Sequence, residues 1–143
     1  MYKSKYFSLY EMTYSHKAVL NKIDNKPCQE HLENLKELME LLDDLRESWG
    51  GAIRVTSGYR CEELNKLVGG SKTSAHLIGF AADLKPYNND MDKFINHVVE
   101  WSKNKDFDQI IVESDSTGNK WVHISNFSMK GQQRKQIKSL KKK

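Results

Sequence analysis

Little in this sequence of 143 residues interrupts or staples the chain: it has 2 prolines and 2 cysteines. Cys28 and Cys61 form no CxxC pair and no disulfide framework, so each reads as a small, semi-buried residue rather than a ligand or nucleophile. No apolar run approaches the roughly 18 residues of a membrane span. The opening "MYKSKYFSLYEMTYSHKAVL" places Tyr, Ser, Glu and His where a secretory signal needs a clean apolar stretch. The expectation is therefore a chain made in the cytoplasm without an export signal, released by another agent if it works outside. Gly69 and Gly70 are not followed by GK[ST], which excludes a phosphate loop. There is no internal repeat and no low-complexity segment. Asn126-Phe127-Ser128 matches a glycosylation sequon, but such matches are frequent by chance.

Charge of one sign is missing only at the C-terminus. "KGQQRKQIKSLKKK" holds Lys130, Arg134, Lys135, Lys138, Lys141, Lys142 and Lys143 with no acid. Taking those seven cations from the net +4 leaves the remainder at about −3, so the body of the chain is not a basic nucleic-acid binder. Residues 131–143 read as a basic tail, solvated and frayed, appended to one domain of residues 1–130. Attraction of this tail to a polyanion such as cell wall, membrane or nucleic acid is the functional alternative. With 29% charged and 38% apolar residues, the composition is that of an ordinary soluble domain able to bury a core.

Periodicity supplies the elements. "YFSLYEMT" has no clean period and reads as a short strand or a packed loop. After Pro27, the residues Leu32, Leu35, Met39, Leu42, Leu45 and Trp49 recur at three- and four-residue steps, the stripe of a long amphipathic helix ended by Gly50 and Gly51. Its charged residues from Glu33 to Glu47 read as a solvated face. "AIRVTSG" is a short strand and "CEELNKLVGG" a short helix. "FAADLKP" is a strand, and "NNDMDKFINHVVEWSKN" a third helix capped by Asn89 or Asp90. "FDQIIVES" and "KWVHIS" form a hairpin through "DSTGN". The fold class is α+β: a small central antiparallel sheet packed against one long and two shorter helices.

Two strands carry polar residues that an apolar strand does not want. In "FAADLKP", Asp83 shares a face with Ala81 and Lys85, and Ala82 and Leu84 take the other. In "KWVHIS", Val122 and Ile124 form a buried face, with Trp121, His123 and Ser125 opposite. His76 precedes Asp83 across Gly79, where the chain can turn. A buried carboxylate is costly unless paired or metal-bound. Any one of these residues alone reads as a satisfied core group. Together, His76, Asp83 and His123 offer two imidazoles and one carboxylate, a set suited to Zn²⁺ with a fourth position left for water. His16, His31 and His97 have no partner at ligand spacing.

The stretch "SGYRCEELNKLVGGSKTSAHLIGFAADLKP", followed by "WVHIS", resembles the M15 family of zinc peptidases, whose pattern is SGYR, then SxHxxGxAxD, then a late WxH. The matching positions are Ser57-Gly58-Tyr59-Arg60, then Ser74, His76, Gly79, Ala81 and Asp83, then Trp121 and His123. The resemblance spans about residues 27–127. It implies the D-Ala-D-Ala-peptidase fold shared with the hedgehog signalling domain, and Zn²⁺ at His76, Asp83 and His123. It also implies a substrate-binding and polarising role for Arg60 and a substrate hydrogen bond from Ser74. The implied partner is a peptidoglycan stem peptide, cut at L-Ala-D-Glu or D-Ala-D-Ala by a monomeric phage or prophage lysis enzyme acting on the cell wall or in the periplasm. No nucleic-acid partner is expected.

The general base departs from the commoner family pattern, which has Glu three residues before the last histidine. Lys120 stands there. Glu113, at the end of "DQIIVE", has the parity of Ile111 and lies near Trp121 once the hairpin closes, so it is the expected base. Asp115 in the loop is the second candidate. If neither serves, the chain is a non-catalytic zinc module that binds cell wall or a partner protein.

Overall fold

The long apolar stripe does form a helix. The computed structural model describes residues 3–141. In it, α3 (Gln29–Trp49) buries Leu35, Leu38, Met39, Leu42 and Leu45. Leu38 joins the buried face, and Leu32, expected there, is only half-buried. Gly50 ends the helix in the left-handed region, at φ 79°, a conformation glycine adopts without steric cost. Full burial of each leucine contributes about 1.5–3 kcal/mol.

These residues cover one face of a sheet built from β1 (Ile53–Ser57), β2 (Ala81–Pro86), β3 (Gln109–Ser114), β4 (Lys120–Ser125) and β5 (Gln136–Lys141), in the order β1-β2-β4-β3-β5. Ala82, Leu84, Ile110, Val122 and Ile124 point into the shared core. The short helix α4 (Glu62–Leu67) follows β1, and α5 (Met91–Ser102) adds Phe94, Val98 and Trp101. Asp90 caps α5 by accepting the Lys93 N–H. The opposite face of the sheet is left to the polar residues of the same strands, because side chains alternate.

The N-terminal region differs from expectation. "YFSLYEMT" is neither strand nor loop: α1 (Leu9–Thr13) begins at Ser8, whose hydroxyl accepts the Glu11 N–H while Glu11 reaches back to the Ser8 N–H. This capping box makes five residues helical where no apolar period could. A second short helix, α2 (His16–Leu20), follows, capped by Ser15. The α3 charges are not all solvated either. Asp43 is buried and accepts from Ser4 Oγ at 2.8 Å, Lys5 N at 2.8 Å and Tyr6 N at 3.1 Å, which ties the N-terminal segment to the helix.

The basic C-terminus is also more than a frayed tail, and the sheet is mixed rather than wholly antiparallel. Residues 136–141 form β5, which runs parallel to β3 from Gln109↔Gln136 to Ser114↔Lys141. A fixed ion pair leads into it. The Arg134 guanidinium donates to both Asp108 oxygens, each at 2.8 Å, and the Arg134 N–H donates to Oδ1 at 3.0 Å. The fork geometry suits arginine rather than the lysines around it. Burial pushes the Asp108 carboxyl up, but the hydrogen bonds from Arg134 outweigh it and hold the pKa below the ordinary carboxylate value.

Asp108 is 1% exposed, so it loses most when its partner goes. Arg134→Ala should destabilise the protein by about 1–3 kcal/mol at neutral pH, read by chemical denaturation. The carboxyl's folded pKa is depressed, so its contribution is present above its unfolded value near 3.8 and is lost as pH falls through the folded value. The difference between the two proteins should therefore shrink below that pH. Ending the chain at Lys130 removes β5 as well and should lower Tm by roughly 5 °C or more.

Candidate active site

The β2–β4 register pairs Asp83 with His123, and the β3–β4 register pairs Ile111 with His123 and Glu113 with Trp121. Asp83, His123, Ile111 and Glu113 therefore share the sheet face turned away from the core. His76 comes from a 3₁₀ turn, Ala75–Ile78, held over that face. Ser74 caps the turn by accepting the His76 N–H at 3.2 Å. Gly79 closes it in the left-handed region, at φ 86°, and a Cβ there would lie 2.7 Å from the His31 carbonyl oxygen.

All three donors converge on one point. His76 Nε2 lies 3.3 Å and His123 Nδ1 3.2 Å from Asp83 Oδ1, and the two rings meet edge to face at 5.1 Å. Exposure is 1% for His76, 8% for Asp83 and 7% for His123. The tautomer of His76 follows from its other nitrogen. Nδ1 is 2.7 Å from the Gly58 carbonyl oxygen, which can only accept, so Nδ1 carries the proton. Burial lowers the pKa of this imidazole against the pull of Asp83 and keeps it neutral. Burial pushes the Asp83 carboxyl up, but the neighbouring imidazoles hold it well below the ordinary carboxylate range. Nε2 of His76 and Oδ1 of Asp83 thus face each other as two lone pairs, an arrangement that a cation between them stabilises. The donor set fits a divalent metal ion, and it is the one His/Cys/Asp/Glu group of this kind among the described residues.

The loop that carries Gly58 is held from two sides. Asn25 donates to the Thr13 and Tyr59 carbonyls, both at 2.9 Å, and accepts the Cys61 N–H at 2.7 Å. The Tyr59 N–H donates to Met12 O at 2.7 Å, and the Arg60 N–H to His76 O at 3.0 Å. Arg60 reaches the same cleft, where Nε is buried and has no hydrogen-bond partner among the described residues. Burial lowers its pKa, opposed by Asp83 and Glu113. Glu113, 5% exposed, lines the cleft with them.

The cleft encloses about 310 Å³. Ser74 also lines it, with its oxygen engaged as a cap and its hydroxyl proton left to donate. Asp115 does not reach it. Its Oδ1 instead accepts from Thr117 N at 2.9 Å, Thr117 Oγ1 at 2.6 Å and Asn119 N at 3.1 Å, which folds the hairpin turn. The Thr117 hydrogen bond holds its pKa below the ordinary value against a small burial effect. A wider groove of about 740 Å³ lies elsewhere, beside Tyr6, Glu40 and Phe127. It contains no converging donor set and carries no argument for chemistry.

Three residues that shape the site were not singled out from the sequence. Asn25 carries no local signal, because its partners lie 12 to 36 positions away. Asp108 and Arg134 wall the cleft from the far edge. A lone arginine among lysines was the available hint, since only arginine offers a rigid fork to a carboxylate.

A mixed sheet thus carries a buried His-Asp-His donor set, which could hold a metal ion, beside an acid and an arginine. A family model for peptidase M15 matches residues 5–125, and the chain belongs to that family. No curated protein matches the chain.

The close approach at Gly58 is testable. A Cβ there would lie 2.2 Å from Met12 O and 2.9 Å from Met12 C, both backbone atoms. Gly58→Ala should lower stability by about 1–3 kcal/mol in thermal unfolding. Because the Gly58 carbonyl orients His76, affinity for an added divalent metal ion should also fall by roughly 10–100-fold, read by competition with a chromophoric chelator.

Proposed function

We propose that this peptidase is a zinc metallopeptidase of peptidoglycan stem peptides, hydrolysing the L-Ala-D-Glu or D-Ala-D-Ala bond as a cell-wall lysis enzyme. The observation that carries the reading is the convergence of His76 Nε2, Asp83 and His123 Nδ1 in a cleft that also holds Glu113 and Arg60. Two neutral imidazoles and one carboxylate are the ligand chemistry zinc takes in open, catalytic sites. Zinc, when bound, supplies a Lewis acid that polarises a carbonyl and acidifies water.

The chain's own residues account for the remaining chemistry. Glu113 takes a proton from the attacking water and hands it to the leaving amide nitrogen. The Arg60 guanidinium holds the scissile carbonyl or a substrate carboxylate from the cleft wall. Ser74 donates its hydroxyl proton to the peptide backbone. The Gly58 carbonyl keeps His76 in the tautomer that presents Nε2.

The decisive comparison is Glu113→Gln with Asp115→Asn at matched zinc loading. The first keeps shape and removes basicity, so turnover of stem peptides should fall by about 10²–10⁴. The second lies in the turn and should cost far less. Full activity in Glu113→Gln would remove that residue from the role of base. Hydrolysis of no stem peptide by the unmutated protein would move the chain to a non-catalytic wall-binding module. Mass spectrometry of digested muropeptides identifies the bond.

The metal has its own test. Elemental analysis should find about one Zn²⁺ per chain, lost in folded His76→Ala and His123→Ala. Full zinc retention in either variant would break the ligand assignment.

A further inference from the structure

Residues 126–141 lie beyond the part of the chain matched by the peptidase family, yet they build one wall of the cleft. Ser128, Arg134 and Leu140 all line it. The β3–β5 register shows how. Ile111 pairs with Lys138 and Glu113 with Leu140, and residues paired across adjacent strands point to the same face. The hydrogen bond from Gln109 Nε2 to Gln136 Oε1, 2.9 Å, demonstrates that shared face one step earlier. A single row therefore crosses the sheet on the site side: Asp83, His123, Ile111, Lys138.

The cations of the segment that forms this wall are not equivalent: Arg134 lines the cleft, and Lys138 stands outside its lining. Arg134 is committed to Asp108 through two side-chain hydrogen bonds. Lys138 makes no ion pair or side-chain hydrogen bond among the described residues and is exposed. Two strand spacings, about 10 Å, separate its Cα from that of His123. An extended lysine spans about 6 Å from Cα to Nζ. Its ammonium can thus meet a group lying within one or two residues of the reacting bond, given about 3.4 Å per residue in an extended peptide. Asp83 stands at the opposite end of that row, three strands from β5, so an exposed cation at the β5 end offers an anionic substrate group a partner away from that carboxylate and separate from Arg60.

We propose that Lys138 on β5 is a specificity-determining residue that binds a carboxylate of the substrate peptide within two residues of the scissile bond. The inference rests on the peptidase reading above and adds the substrate's charge to it. It assigns the C-terminal strand a place in substrate selection, with Arg134 and Asp108 acting only to hold that strand in register.

The test uses the full chain and two synthetic stem tripeptides, L-Ala-γ-D-Glu-L-Lys with the C-terminus amidated in both, one with the D-Glu α-carboxylate free and one with it amidated. Dissociation constants and hydrolysis are measured for both with the unmutated protein, Lys138→Ala and Lys138→Arg. The unmutated protein should favour the free carboxylate by about tenfold, in Kd and in KM with kcat little changed. Higher salt should narrow that preference. In Lys138→Ala the preference should collapse to about twofold or less, with zinc content, Tm and binding of the amidated peptide unchanged. Lys138→Arg should retain it. Equal treatment of the two peptides by the unmutated protein would overturn the proposal, as would a preference that survives in Lys138→Ala or an equal loss on both peptides. If neither peptide is hydrolysed, the L-Ala-D-Glu reading fails by itself, since neither contains a D-Ala-D-Ala bond. The Kd values then decide: a carboxylate preference lost in Lys138→Ala upholds the role of Lys138, and its persistence or absence removes it.

Discussion

Everything at the site hangs on the pairing of Asp83 with His123 across β2 and β4. The same two strands send Ala82, Leu84, Val122 and Ile124 into the core, all fully buried. Because side chains alternate, the register that buries those four residues also places the carboxylate and the imidazole side by side on the other face. A slip of one residue would expose the core and bury the polar set. The apolar packing under the sheet is thus what holds the donors together, at a place where two lone-pair-bearing groups would otherwise stay apart.

The third donor is held by different means. His76 sits on a 3₁₀ turn outside the sheet and gains its position from the Gly58 carbonyl, the Ser74 cap and the Arg60 N–H on its own carbonyl. Gly58 is in turn pressed against Met12 of α1. A short N-terminal helix therefore acts on the donor geometry through the backbone of Met12, which meets Gly58 and accepts the Tyr59 N–H. These contacts fix the position of the turn although its helix is only four residues long. Backbone polar groups that would otherwise be buried unpaired are used to orient a side chain.

On the far edge, the Asp108–Arg134 pair does the equivalent work for β5. A parallel edge strand rich in lysine has weak reason to dock: Ile137 and Leu140 remain about half exposed. The forked ion pair and the main-chain bonds of Lys135 to Phe107 O and Gln136 to Asp108 O start the strand in register. The result is a sheet whose two ends serve different purposes, with metal donors toward β2 and a basic rim at β5.

The elements with local signals were legible from residue order alone. The stripe from Leu35 to Leu45 requires a long amphipathic helix, the glycine after Trp49 ends it, and Gly118 marks the hairpin that joins β3 and β4. Alternation in "FAADLKP" and "KWVHIS" assigned Asp83 and His123 to the face opposite the core, and the parity of Glu113 with Ile111 placed that acid on the cleft side. Tertiary structure decided the remainder. The burial of Asp43, the bracing by Asn25, the choice of Nε2 on His76 but Nδ1 on His123, and the docking of residues 136–141 as a strand each depend on partners far away in the chain. Periodicity reports which face a side chain takes, because that follows from its own strand or helix. It carries no information about which distant carbonyl or carboxylate will meet it, because that is set only when the sheet closes and the loops fold over it.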